Sequence, residues 1–148
     1  MDMEHVEYAT TRGLSDAEVD DLLADHHVGV LALADDRRAY AVPVDYRYDG
    51  ESLLLRLTDD GRSRKLAYVE TTEDPELLVY GHDGPHDSWS VLLTGEIREI
   101  DPEERGIDAE TVNDWFGPVR VFDEAIEDLT VRLFEFAVAS ATGRVTVG

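Results

Sequence analysis

The sequence predicts a mainly β protein, an antiparallel barrel of six or seven strands with two or three helical insertions, in one domain spanning residues 1–148. Short apolar or alternating segments recur along the chain, and turn residues separate them as in successive hairpins. Helical patterns follow only some of these segments, which favours an antiparallel barrel over repeated βαβ units. A chain of 148 residues buries one sizeable core and is short for two domains.

The first part of the chain predicts one helix followed by three strands. Ser15 and Glu18 form a capping-box pattern, and the apolar positions that follow lie on one face of a helix over residues 15–26. The predicted strands cover residues 28–34, 39–48 and 53–58. Asp49-Gly50 is a turn signal between the second and third strands, so these two strands are expected to pair as a hairpin.

Pro43 interrupts the second predicted strand, where its neighbours Val42 and Val44 continue the alternation. Proline has no N–H group and cannot donate to a β-ladder. We therefore expect this stretch to be an edge, a bulge, or a place where the backbone meets something other than a neighbouring strand. A ligand is one such partner.

The remaining chain predicts a helix from about Ser63 to Thr71, further strands and a helical region. The predicted strands cover residues 77–80, 89–100 and 131–139, with a last extended piece after Gly143. Gly95 lies inside the longest of them, which indicates a bulge or a close backbone approach. Residues 102–129 are expected to form one or two helices, the second ending near Leu129 after a break at Gly117-Pro118.

The charge excludes several classes of partner. The chain has 34 acidic and 13 basic residues, a net charge of −21, and Lys65 is its only lysine. Such a surface repels nucleic acid and anionic membranes. It is typical of a halophilic protein, because molar salt shortens the screening length to ~3 Å and makes dispersed carboxylates tolerable. With no cysteine, no signal-peptide core and no apolar stretch long enough for a membrane span, we expect a cytoplasmic protein.

One basic cluster stands out in this acidic chain. Arg62, Arg64 and Lys65 place three of the 13 basic residues within four positions. Gly61 permits a tight turn, and Ser63 precedes a predicted helix whose first N–H groups can bind an anion. These residues predict a phosphate site. The alternative is a solvated cluster that offsets neighbouring carboxylates.

The sequence resembles the FMN-binding split barrels related to pyridoxamine 5′-phosphate oxidase over roughly residues 14–105. The resemblance rests on the order and spacing of short motifs, namely Val42-Pro43-Val44-Asp45-Tyr46, Leu57-Thr58, Ser63-Arg64-Lys65, and Ser88-Trp89-Ser90-Val91 leading to Gly95-Glu96-Ile97. It implies a split β-barrel that binds FMN and forms a homodimer with flavin sites at the subunit interface. No metal is implied.

The resemblance also implies which residues contact the cofactor. They are Val42, Pro43, Val44, Leu57, Thr58, Arg62, Ser63, Arg64, Lys65, Trp89 and Ser90. Residues 63–65 match the phosphate clamp of the family, and Arg62 is added because this chain has one extra residue before Ser63. The strand through Pro43 matches the one that lies along the isoalloxazine ring. Trp89 and Ser90 match a position that meets the flavin, often from the second subunit.

The implied activity is a flavin-dependent oxidoreductase acting on an unidentified small substrate. The chain lacks the family's C-terminal substrate-binding extension, so pyridoxamine phosphate oxidation itself is not expected. Electrons would pass through the flavin, and the sequence assigns no catalytic side chain. Two alternatives stay open, a deazaflavin F420-dependent reductase of the same fold and a non-catalytic flavin carrier or sensor.

Two histidines offer a separate candidate site. His82 and His86 flank Asp83 and could supply metal ligands. No third ligand is evident nearby, and Gly84-Pro85 makes the segment a turn. A plain polar loop is the preferred interpretation.

Overall fold

A computed structural model describes residues 1–61, 63–120 and 126–147, in which seven antiparallel strands form one sheet and three α-helices accompany it. The strands are β1 (Thr10–Gly13), β2 (Val28–Asp35), β3 (Arg38–Tyr48), β4 (Ser52–Asp59), β5 (Glu76–His82), β6 (Ser88–Ile100) and β7 (Thr130–Val147). The helices are α1 (Asp16–Asp25), α2 (Arg64–Thr71) and α3 (Ala109–Phe116). The mainly β, barrel-forming class predicted from the sequence is confirmed.

The long strand β7 closes the sheet into a barrel. The strand order is β1-β7-β4-β3-β2-β5-β6, and β6 pairs with β7 as well. β7 lies between β4 and β6 over residues 133–137, and its last residues pair with β1. The prediction of a strand over 131–139 and a separate extended piece after Gly143 was wrong in this respect, because one strand of 18 residues runs through both.

Gly95 is where β6 and β7 change register, as its position inside the predicted strand indicated. Thr94 pairs with Ser140 whereas Gly95 pairs with Val138, so Ala139 is the extra residue of a bulge. A Cβ atom at Gly95 would lie 2.0 Å from the carbonyl oxygen of Ala137. The two backbones approach too closely there for any side chain.

Alternating residues of the strands fill the barrel interior. The fully buried side chains include Leu31, Tyr46, Leu53, Leu55, Leu77, Val91, Leu93 and Phe136. The hydroxyl of Tyr46 donates to the carbonyl of Leu23 at 2.9 Å, which fixes α1 against the barrel. Burial raises the pKa of the Tyr46 phenol well above its usual range, so it stays a donor.

The capping box predicted for α1 is confirmed. The Ser15 hydroxyl accepts from the Glu18 amide at 3.2 Å, and the Glu18 carboxylate accepts from the Ser15 amide at 3.1 Å. Arg12 of β1 donates to both carboxylate oxygens of Glu18 and, with the Ser15 amide, lowers the Glu18 pKa to about 2. Glu18 therefore stays ionised and joins α1 to β1. The strand β1 was not predicted from the sequence.

The region expected to hold one or two helices contains α3 and two short 3₁₀ turns. These turns are Glu103–Arg105 and Ile126–Asp128. α3 ends before Gly117, whose φ of 74° requires glycine. The predicted second helix falls partly on residues 121–125, which lie outside the described residues. Among the described segments, none of the helices has the length and hydropathy needed to cross a membrane.

We predict that Gly95→Ala destabilises the fold by about 1–3 kcal/mol, because the added methyl group forces the β6 and β7 backbones apart. The free energy of unfolding in denaturant, measured in molar KCl, tests this. Gly13→Ala is the matched control, since a Cβ there would meet its nearest atom at 4.0 Å. An equal effect of the two substitutions would contradict the close approach at the bulge.

Candidate functional site

A gap opens where β3 and β4 part. The two strands pair only between Asp45–Tyr48 and Leu53–Arg56. Beyond this ladder, β3 continues along β2, whereas β4 continues along β7. Residues 42–44 and 57–58 therefore face each other without pairing, at one side of the barrel.

Pro43 lies on the rim of this gap. The Tyr46 amide donates to the His27 carbonyl at 2.9 Å on the β2 side. Because N–H directions alternate along a strand, the nitrogen of Pro43 faces the opposite side, where β4 has moved away. The expectation that Pro43 marks a strand edge is confirmed, and the missing N–H group costs no ladder hydrogen bond.

The gap forms a cleft of about 170 Å³, here called the parted-strand cleft. It is lined by Val42, Pro43, Val44, Asp45, Arg56, Leu57, Thr58, Lys65, Val119 and Arg120. Six of the eleven predicted cofactor-binding residues are in this list, although they come from two strands and a helix. Those six are Val42, Pro43, Val44, Leu57, Thr58 and Lys65.

Lys65 and the start of α2 form one end of the parted-strand cleft. The Lys65 ammonium group donates to the Thr58 hydroxyl at 3.2 Å. Ser63 occupies the N-cap position of α2, but its side chain makes no capping hydrogen bond. The first N–H groups of α2 thus lack the usual side-chain cap. Arg62, also predicted to bind the phosphate, lies outside the described residues.

Arg64 does not line this cleft, and its guanidinium lies instead over an aromatic pair. Its guanidinium carbon is 5.3 Å from the ring centroid of Tyr40 and 5.9 Å from that of Tyr68. The two rings stack with centroids 5.0 Å apart. Cation–π contacts at exposed sites contribute only ~0.5–1 kcal/mol, so this arrangement holds Arg64 weakly.

Arg56 is a cleft residue that sequence reasoning missed. It is 7 % exposed, and its guanidinium donates to the carboxylate of Asp45 at 3.1 Å. It also donates to the carbonyl oxygens of Gly117, at 2.7 Å, and Pro118, at 3.3 Å. A single arginine inside a leucine-rich strand was the available signal, but its carbonyl partners lie 61 and 62 residues away in sequence.

Two arginines attach α3 to the barrel. Within the described helix α3 no residue is buried. Arg47 lies over the Trp115 ring at 4.5 Å, and Arg56 lies 5.3 Å from the Phe116 ring centroid. These contacts, together with the hydrogen bonds from Arg56, bring the segment after α3 to the cleft, where Arg120 adds a third cationic side chain.

Trp89 and Ser90 lie elsewhere, in a larger cleft of about 630 Å³ that we call the Trp89 cleft. Its walls come from β5, β6, β7 and β1, and include Thr11, Tyr80, His82, Ser88 and Arg144. Within one chain, the structure does not bring Trp89 and Ser90 together with the predicted phosphate clamp. Whether these two residues contact a cofactor stays a prediction.

Comparisons with known proteins place this chain in a family. The family described as pyridoxamine 5′-phosphate oxidase matches residues 15–145. No curated protein matches the chain significantly.

Several solved structures share the fold. A FAD-binding protein from Mesorhizobium loti is 20% identical with a TM-score of 0.70, and the match covers 95% of this chain and 100% of that one. A FAD-binding protein from Mycobacterium smegmatis is 19% identical with a TM-score of 0.68, over 91% and 98% of the two chains. A FAD- and haem-binding protein from the same organism is 15% identical with a TM-score of 0.66, over 93% and 74%. The family match spans most of the chain, and the chain therefore belongs to the pyridoxamine 5′-phosphate oxidase family.

Proposed function

We propose that this protein binds FMN in the parted-strand cleft and acts as a flavin-dependent oxidoreductase on a small substrate. One observation carries the proposal. An unpaired strand edge and several cationic side chains converge at one gap in the barrel wall. Such a convergence is unusual in a chain with a net charge of −21. A flavin mononucleotide needs both features, because it joins a planar ring to a phosphate.

The cationic end of the cleft suits the phosphate. Lys65 and Arg120 line it, and the first N–H groups of α2 lie next to Lys65 in the chain. Short, charge-assisted hydrogen bonds of this kind remain effective in salt, because they do not depend on long-range attraction. Arg64 is one residue from Lys65 and can leave its tyrosine pair at small cost.

The unpaired edge of β3 suits the ring. Val42, Pro43 and Val44 border a gap without a neighbouring strand, so a planar group can lie against this backbone without breaking ladder bonds. The carbonyl and amide groups of such an edge are free to form hydrogen bonds with the polar edge of an isoalloxazine ring. The relatives described as FAD-binding support a flavin, and FMN is the form that a single phosphate clamp favours.

The size of the cleft supports a homodimer with flavin sites at the subunit interface. Its volume of about 170 Å³ is below the ~300–1,000 Å³ of typical ligand pockets. A second copy would supply the missing wall. Trp89 and Ser90, which lie in a separate cleft of their own chain, would then meet the flavin of the partner.

The chemistry of this arrangement divides between cofactor and protein. A bound flavin would supply the electron transfer. The chain's own residues would hold the phosphate at Lys65 and orient the ring along Pro43, while the segment carrying Val119 and Arg120 would limit the access of water. No side chain is needed as a nucleophile.

We further propose that the protein works in a halophile's cytoplasm. The many surface carboxylates and the single lysine of the chain support this proposal, because molar salt screens the repulsion between carboxylates. Assays of this protein therefore require molar KCl.

Protein purified in molar KCl is expected to show absorption bands near ~450 and ~370 nm, with one FMN released per chain. Chromatography of the released cofactor distinguishes FMN from FAD. A single band near ~420 nm would instead identify a deazaflavin. A colourless protein that fails to take up added flavin would refute the proposal.

The double variant Arg64→Ala/Lys65→Ala is expected to lose flavin retention, because it removes two cations from the start of α2. Its fold should be intact, as judged by circular dichroism and the unfolding midpoint. Arg37→Ala/Arg38→Ala, at the exposed β2–β3 hairpin, is the matched control for loss of two charges. Equal flavin affinity in the two double variants would show that the phosphate site lies elsewhere.

The oxidoreductase role is tested by reoxidation. Reduced holoprotein, mixed anaerobically with NAD(P)⁺, quinones or nitroaromatics, is expected to reoxidise faster with at least one acceptor than free reduced flavin does. The absorbance near ~450 nm reports the rate. If no acceptor exceeds the free-flavin rate, the carrier or sensor role replaces that of an enzyme.

A further inference from the structure

Arg56 is the only charged residue that is buried within the part of the chain that the structure describes. It stands between Leu55 and Leu57 of β4, and its side chain is 4 % exposed. Removing a charge from water is unfavourable, whereas another leucine at this position would carry no such penalty. The partners that the guanidinium holds therefore distinguish Arg56 from its neighbours.

The Arg56 guanidinium spends its terminal nitrogens on partners within the protein. One of them donates to the Gly117 carbonyl at 2.7 Å, and the other donates to the Asp45 carboxylate at 3.1 Å and the Pro118 carbonyl at 3.3 Å. The carboxylate also offsets the positive charge. Arg56 lines the parted-strand cleft, but with both terminal nitrogens engaged and its charge compensated it is a poor ligand for a phosphate.

These hydrogen bonds fix the backbone directly before the cleft. The carbonyl groups of Gly117 and Pro118 are consecutive in the chain, and one guanidinium holds both. The proline ring further restricts its own φ to about −65°. The next two residues, Val119 and Arg120, line the cleft. Arg56 therefore sets the direction in which the backbone brings Arg120 to the cleft.

We infer that Arg56 is a positioning residue, which holds Arg120 at the parted-strand cleft so that Arg120 binds the cofactor phosphate together with Lys65. The inference rests on the proposed function and assigns a role within that same site. Lys65 has a different anchor, its hydrogen bond to the Thr58 hydroxyl at 3.2 Å. Molar salt shortens the screening length to ~3 Å, so a phosphate needs cations that are already in place.

Riboflavin separates the phosphate contact from the ring contact, because it carries the flavin ring without the phosphate. Arg56→Lys keeps the charge but replaces the guanidinium fork by one nitrogen, which cannot hold Asp45 and both carbonyl groups in the same geometry. Fluorescence titration in molar KCl is expected to show about tenfold weaker binding of FMN, the scale of one charge-assisted contact, and unchanged binding of riboflavin. Circular dichroism verifies the fold.

A double-mutant cycle tests whether Arg56 acts through Arg120. Arg120→Gln is expected to weaken FMN binding about tenfold, and the addition of Arg56→Lys should change it little further, because both substitutions break the same contact. Arg47→Lys is the matched control. Arg47 also attaches α3, over the Trp115 ring at 4.5 Å, but it lines a different cleft. This control should leave the affinities for FMN and riboflavin unchanged.

The positioning is measurable without any cofactor. Trypsin cleaves after an arginine, and the residues before the cleaved bond must first extend into the protease. The cleavage rate after Arg120 therefore follows the population in which Gly117 and Pro118 have left Arg56. Arg56→Lys is expected to raise this rate about tenfold in the cofactor-free protein, and Arg47→Lys should leave it unchanged. Mass spectrometry identifies the cleaved bond.

Three results would overturn the inference. They are equal weakening of FMN and riboflavin binding by Arg56→Lys, additive effects of Arg56→Lys and Arg120→Gln, and equal trypsin rates in the Arg56→Lys and Arg47→Lys proteins. If the wild type binds no flavin, the proposed function fails together with the phosphate contact. The trypsin rates then still decide whether Arg56 positions Arg120, so the two failures are distinguishable.

Discussion

The ion pair between Asp45 and Arg56 organises the side of the barrel where the chemistry is proposed. The two residues form the last rung of the β3–β4 ladder, and the Arg56 side chain is only 4 % exposed. A buried guanidinium without partners would cost several kcal/mol. The carboxylate of Asp45 and the carbonyl oxygens of Gly117 and Pro118 accept its hydrogen bonds, so the Arg56 guanidinium joins the end of the β3–β4 ladder to the segment after α3. The pair itself lines the parted-strand cleft, at the point where β3 and β4 separate.

The two clefts differ in the charged residues that line them. Among the described residues that line the parted-strand cleft, Asp45 is the one carboxylate, and it pairs with Arg56, whereas Lys65 and Arg120 are the other two cations there. None of the described residues that line the Trp89 cleft is acidic, and Arg144 is the one arginine or lysine among them.

Features coded by neighbouring residues could be predicted from the sequence. The α1 capping box, the bulge at Gly95 and the strand edge at Pro43 each follow from the chemistry of a few adjacent positions. Features set by strand order could not. Arg56 meets carbonyl groups about 60 residues away, and Trp89 lies in a different cleft from Lys65 because β6 and β4 are separated around the barrel. The four-residue β1 carries no alternation that would distinguish it from a loop.

The length of β7 has a consequence for synthesis. This strand covers the open edges of both β4 and β6, and it pairs with β1 from the opposite end of the chain. On the ribosome, all earlier strands emerge before it. Until β7 follows, β4 and β6 expose unpaired backbone that invites association with other chains. The barrel is therefore assembled late and as a unit, and a nascent chain stopped before Thr130 retains both unprotected edges.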